Sequence, residues 1–113
     1  MNIETLRSVC LAYENTSEEL PFGPDTLVFK VFGKMFVAVG LNSHPLSINL
    51  KCDPEYALEL RASHSSITPG YHMNKMHWNT IVLDNSLNQK LILELIKHSY
   101  EIVLKGVPKS KRH

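Results

Sequence analysis

The stretch Thr26-Leu27-Val28-Phe29-Lys30-Val31-Phe32-Gly33-Lys34-Met35-Phe36-Val37-Ala38-Val39 reads as two strands meeting at a tight turn, and it sets the fold class. Valine and phenylalanine, which favour extended backbone, dominate residues 26–32 and 35–39. Gly33 and Lys34 lie between them, and a glycine there supplies the positive φ that a two-residue hairpin needs. So short a connection cannot hold a crossover, so the two strands must run antiparallel.

Working outward, residues 46–52 alternate apolar and polar after a loop at Pro45, which predicts a further strand. Residues 18–22 are expected to form a short edge strand ending at the turn Phe22-Gly23-Pro24. Ahead of it, Ile3, Leu6, Val9, Cys10 and Tyr13 recur at helical spacing behind a capping Asn2. After the sheet segments, Asp53-Pro54-Glu55 is a strong helix start, because the carboxylate caps free N–H groups and proline suits the first helical position. That helix should run to about Ser63, followed by a loop at Pro69 and Gly70 and a strand over residues 78–83. Ser86 and Gln89 stand at capping-box spacing before a last helix lined by Leu87, Leu91, Leu95, Ile96, Ile102 and Val103, which Gly106 and Pro108 end. The expected architecture is α+β: a two-layer domain over residues 1–107, with an antiparallel sheet, helices on one face and a frayed basic tail over 108–113.

Strand alternation assigns the two faces. Leu27, Phe29, Val31, Ile48, Leu50, Ile81 and Leu83 should turn to the helices, leaving Lys30, Phe32, Ser47, Asn49, Lys51, Trp78 and Thr80 on the other side. A basic, polar and aromatic face of this kind suits binding, and it is equally what a solvated sheet face carries without any function.

Composition narrows the function classes. The 113 residues are 43% hydrophobic and 20% charged, a globular balance with no visible repeat. Glu4, Arg7 and Glu14 interrupt the first fifteen residues, which argues against a secretory leader, and Gly40, Asn42, His44 and Pro45 break the longest uncharged stretch, so no membrane span and no membrane partner is expected. A cytoplasmic address follows as the expectation. Cys10 and Cys52 are too far apart for a CxxC pattern and are expected to be reduced, apolar and partly buried. The net charge of +1 hides an asymmetry: residues 1–25 carry five acids against Arg7, and the rest six acids against eleven bases. No acid interrupts the chain between Asp25 and Asp53 or between Glu59 and Asp84, so two segments are locally basic.

The densest cluster of chemistry is the run GYHMNKMHWN, residues 70–79, with two imidazoles, an ammonium, a phenol, an indole and two carboxamides. One reading is an anion or phosphate site, in which Tyr71, His72 and Asn74 hold a small anion or metabolite, Lys75 and His77 supply charge and donors, and the aromatic faces stack. In the other, Tyr71 and Trp78 close the end of the core and the histidines bond to backbone carbonyls. A metal site converging from His72, His77, His64 and His44 is a poor match, since no cysteine or carboxylate lies at ligand spacing. The phosphate-loop, dinucleotide, serine-hydrolase and zinc-protease templates are all missing, and adjacent Glu18 and Glu19 point to opposite faces of a strand, so no catalytic residue, no metal and no cofactor is assigned.

Taken together, the segments Pro21-Phe22-Gly23-Pro24-Asp25, Phe29-Lys30-Val31 with Gly33-Lys34 and Phe36, Leu50-Lys51 with Asp53-Pro54, the GYHMNKMHWN run, and Ser99-Tyr100 with Val103 resemble the MmcQ/YjbR family over essentially the whole chain. The run at 70–79 is the specific part. The resemblance implies a compact α+β fold of the CyaY-like or secretion-chaperone-like kind, a cytoplasmic bacterial protein, and a double-wing mode of DNA binding. Carried onto this chain, the implied nucleic-acid contacts are Lys34, Lys51, Lys75, His77 and Trp78. The alternatives are a protein or peptide adaptor, using the open sheet face with Phe32 and Phe36, and small-anion or metabolite binding at residues 71–78.

Overall fold

The computed structural model describes residues 1–71 and 73–112. Its order is α1 (Ile3–Leu11), β1 (Thr16–Glu19), β2 (Thr26–Val31), β3 (Lys34–Gly40), β4 (Ser47–Lys51), α2 (Pro54–Ser63), β5 (Ile67–Pro69), β6 (Trp78–Val82) and α3 (Gln89–Lys105), with a 3-10 turn at Lys109–Lys111. The strands form one sheet in the order β1-β2-β3-β4-β6-β5, every neighbouring pair antiparallel. The helices cover one face, where Leu6, Phe29, Val37, Leu50, Ile81 and Ile96 meet in a single core. This is the α+β architecture that the hairpin implied. No helix among the described residues is long and apolar enough to cross a membrane.

The hairpin forms one residue earlier than the spacing predicts. Phe32 and Gly33 occupy the turn, with φ of 48° and 77°, and Lys34 already belongs to β3. Two consecutive positive φ values make the tight turn whose twist matches the flanking strands. Phe32 accepts this conformation because its ring packs partly against the core and its N–H donates to the Asn15 carbonyl at 3.0 Å. It therefore does not stand on the open face, contrary to expectation.

A bulge in β3 corrects a second expectation. Phe29 pairs with Val37 and Lys30 with Met35, so Phe36 is the extra residue on its strand. The bulge sends both Phe36 and Val37 into the core, and Phe36 is 0% exposed. Its ring meets Tyr100 edge-on at 5.4 Å, while Tyr100 stacks on Tyr13 at 4.6 Å. Phe36 is thus no candidate for a surface adaptor.

The remaining faces follow the alternation. Phe29, Val31, Ile48, Leu50, Ile81 and Leu83 are buried under the helices, with Leu27 packed beside them. Asn2 caps α1 through Thr5 N–H, and Asp53 caps α2 through Tyr56 N–H. Three local expectations move. The edge strand sits at Thr16–Glu19, where Glu18 pairs with Arg7 and Glu19 with Lys30, one on each face. Asn88, not Ser86, caps α3: its Oδ1 accepts Lys90 N–H at 2.7 Å, while Ser86 N–H donates to Asp84 in the turn before the helix at 3.0 Å. The tail is not frayed at its start: residues 109–111 make a 3-10 turn, and Arg112 donates back to the carbonyls of Val107 and Leu104.

Cys10 and Cys52 are free thiols, buried more deeply than expected. Burial pushes Cys10 up to about 12 and Cys52 up to about 11, so both stay protonated and unreactive near neutrality.

Candidate functional site

The open face of the sheet is not flat. Alternation in β3 puts Val37 and Val39 in the core and Ala38 and Gly40 on the other side. Ser47 and Asn49 of β4 and Thr80 of β6 lie beside them, so small side chains form the floor of a groove of about 660 Å³. Phe22, from the β1–β2 loop, and Tyr71, from the β5–β6 loop, rise at its rims, 73% and 70% exposed. Tyr71 N–H donates to Thr80 Oγ1 at 2.9 Å, and the Thr80 hydroxyl donates to Asn49 Oδ1.

A second hollow of about 310 Å³ adjoins it and shares Met35. It lies where the starts of β3 and β6 and the end of β4 approach the end of α3, lined by Lys34, Lys51, Trp78, Ile102, Val103 and Gly106. The hairpin turn positions Lys34, and β4 pairing sets Lys51 directly opposite Trp78. Ser99 of α3 holds this end together: its hydroxyl accepts Lys51 N–H at 2.9 Å and donates to the Phe36 carbonyl at 2.6 Å. The polar groups disturbed by the bulge are thereby satisfied from the helix layer.

A helix C-terminus attracts cations by itself, which could account for lysines in this place. Here the last turn of α3 already has donors: Leu104 accepts from Val107 N–H and Arg112, and Val103 from Gly106 N–H. Lys30, by contrast, is engaged with Glu19.

The run at 70–79 therefore divides. Tyr71 and Met73 line the groove, while Trp78 lines the lysine cleft. Asn74 is occupied within its own loop: its Oδ1 accepts Met76 N–H, and its carbonyl accepts the N–H groups of His77 and Trp78. Lys75 is exposed, and His77 is half-buried with its carbonyl taking Cys52 N–H at 2.8 Å. Neither lines the lysine cleft. His72 lies outside the described residues. Three of the five expected nucleic-acid contacts, Lys34, Lys51 and Trp78, are brought to one place.

The sequence reading missed Arg61. Its guanidinium donates to the carbonyls of Lys75 and Trp78 and to Asn79 Oδ1, anchoring the β5–β6 loop to α2. Asn79 is 1% exposed and its Nδ2 has no partner among the described residues. A carboxamide at a core position of β6 was the available signal, since a buried polar group calls for a polar partner. Gly40 and Ala38 were also missed as groove floor, though small residues alternating with valine marked it.

A family model described as YjbR matches residues 11–102. The Escherichia coli K12 protein YjbR is 32% identical over 112 residues, covering 99% of this chain and 95% of its own length. The protein YbdF of Escherichia coli O157:H7 is 41% identical over 90 residues, 79% of this chain and 73% of its own. A crystal structure of a Deinococcus radiodurans protein with a DUF419 domain superposes with a TM-score of 0.92 at 43% identity, covering 98% of this chain and 85% of that one. A Pseudomonas syringae protein superposes with a TM-score of 0.77 at 30% identity, covering 90% and 98%.

Proposed function

The chain belongs to the YjbR family, and on that premise we propose that it is a DNA-binding protein that catalyses no reaction and holds phosphates at the cleft formed by Lys34, Lys51 and Trp78. The observation that carries the reading is the convergence of two lysines from separate strands beside the only tryptophan of the chain, at a helix end where the Val103 and Leu104 carbonyls already accept from other donors. The ammonium groups would neutralise phosphates, and the indole offers a face for an exposed base. The following basic residues, Lys105, Lys109 and Lys111, continue from the same end of α3.

Two or three lysines can neutralise few phosphates, so the binding is weak and salt-sensitive. For two contacts the slope of log K against log salt should be about −1.4 to −1.8, and replacing either lysine should reduce its magnitude by about 0.7–0.9. Fluorescence anisotropy of labelled duplex and single-stranded DNA, titrated at low and physiological salt with the wild type, Lys34→Ala and Lys51→Ala, measures both quantities. Absence of binding at low salt removes the reading. Binding whose salt slope is the same in all three proteins moves the phosphate contacts elsewhere.

A further inference from the structure

The groove beside the lysine cleft is chemically unlike a solvated sheet face. None of the described residues lining it carries a charged side chain. Elsewhere the same face carries Lys30 and Glu19 as a pair and Lys51 at its margin. A hollow of about 660 Å³ lies in the range of small-molecule sites, which span roughly 300–1,000 Å³. From this lining we propose that the groove binds an uncharged, planar ring compound, a small molecule distinct from the nucleic acid assigned to the cleft.

Each part of that description has a cause in the site. Ala38, Gly40, Ser47 and Thr80 give the floor small side chains, which leave room for a flat ligand to lie along the sheet. Phe22 and Tyr71 stand at rims supplied by loops from opposite edges of the sheet, and Met35 adds a polarisable thioether; these groups favour ring faces and edges. A charged ligand would lose hydration and find no countercharge among the described lining residues. The chain of bonds from Tyr71 N–H through the Thr80 hydroxyl to Asn49 Oδ1 uses the acceptor of Asn49 and leaves its amide nitrogen as a donor on the floor. A carbonyl or ring-nitrogen acceptor on the ligand would meet it.

A small molecule can be seated by the groove alone. The exposed lining of the groove is well below the roughly 800 Å² per partner that a stable protein interface buries. A second copy or a peptide would have to contact far more than this hollow.

Gly40 provides the test. A Cβ built there meets only Ser47 Oγ at 3.6 Å and Ser43 Cβ at 3.7 Å, so a side chain can enter the groove without displacing backbone. The experiment titrates the full chain with prodan, a neutral planar naphthyl ketone, and with uncharged bicyclic lactams as competitors. Amide proton-nitrogen spectra locate binding. The expected result is saturable binding that shifts Gly40, Asn49 and Thr80, is insensitive to added salt, and weakens at least about tenfold in Gly40→Leu. Phe22→Ser, in an exposed loop, gives the same weakening if Gly40→Leu fails to fold. Three results overturn the proposal: no saturable binding, binding unchanged in both variants, or a concentration-dependent dimer in sedimentation that covers these residues. Because salt sensitivity belongs to the cleft and insensitivity to the groove, the two sites fail separately.

Discussion

Ser99 is the residue on which the lysine cleft depends, although it touches no ligand in the proposed reading. Its hydroxyl serves two backbone groups 48 and 63 residues away. Ser99→Ala leaves both without their partner and should cost about 2–6 kcal/mol, since each orphaned buried group costs roughly 1–3 kcal/mol; urea unfolding measures it. Arg61 acts similarly on the β5–β6 loop, and Arg61→Met should speed amide exchange at Trp78 and Asn79 before it lowers global stability. Cys10 gives a pH prediction. Its folded-state value is raised to about 12 from an ordinary 9.0, so the unfolded chain ionises first. The contribution of the neutral thiol is fully present below about pH 9 and is lost as pH rises toward 12. Cys10→Ala should flatten part of the alkaline fall in stability, to which Cys52 and the raised Tyr13, Tyr56 and Tyr100 phenols also contribute. Glu18 works in the opposite sense: its hydrogen bond with Arg7 lowers its pKa, so that contribution is present above the usual carboxylate range and disappears on acidification.

At the scale of elements, the hairpin and both short helix starts were legible because each rests on local chemistry. Gly33, Asn2 and Asp53 act within a turn of their own position. Gly33 has φ of 77°, and Gly33→Ala should cost about 1 kcal/mol through that strained conformation, read as a shift in the urea midpoint. The β3 bulge was not legible, because period-two alternation cannot show where an extra residue is inserted; Phe36 thus moved from presumed surface to core. β5 was hidden by its length and by Pro69, which marks a loop in sequence and an edge strand in the fold. The cap of α3 depended on a choice between Ser86 and Asn88 that spacing alone does not rank.

For the whole molecule, the family resemblance and the architecture were both present in the sequence, but the division of the 70–79 run between two hollows was not. Tyr71 and Trp78 are seven positions apart, and which hollow each enters is fixed by the Arg61 anchor and the β4–β6 register. The charge asymmetry likewise acquires a place only in three dimensions. Glu18 and Glu19 of the acidic N-terminal segment are taken up at the β1 edge by Arg7 and Lys30, while Lys34 and Lys51 gather at the end of α3. Since Trp78 is the single tryptophan and lines that cleft, its fluorescence reports on the central claim without a label. The decisive measurement is titration of this emission with unlabelled DNA at low and physiological salt, in the wild type and in Lys34→Ala and Lys51→Ala. The account predicts a saturable change that weakens with salt and with either substitution. An emission that stays constant while DNA binds, or no binding at low salt, contradicts it.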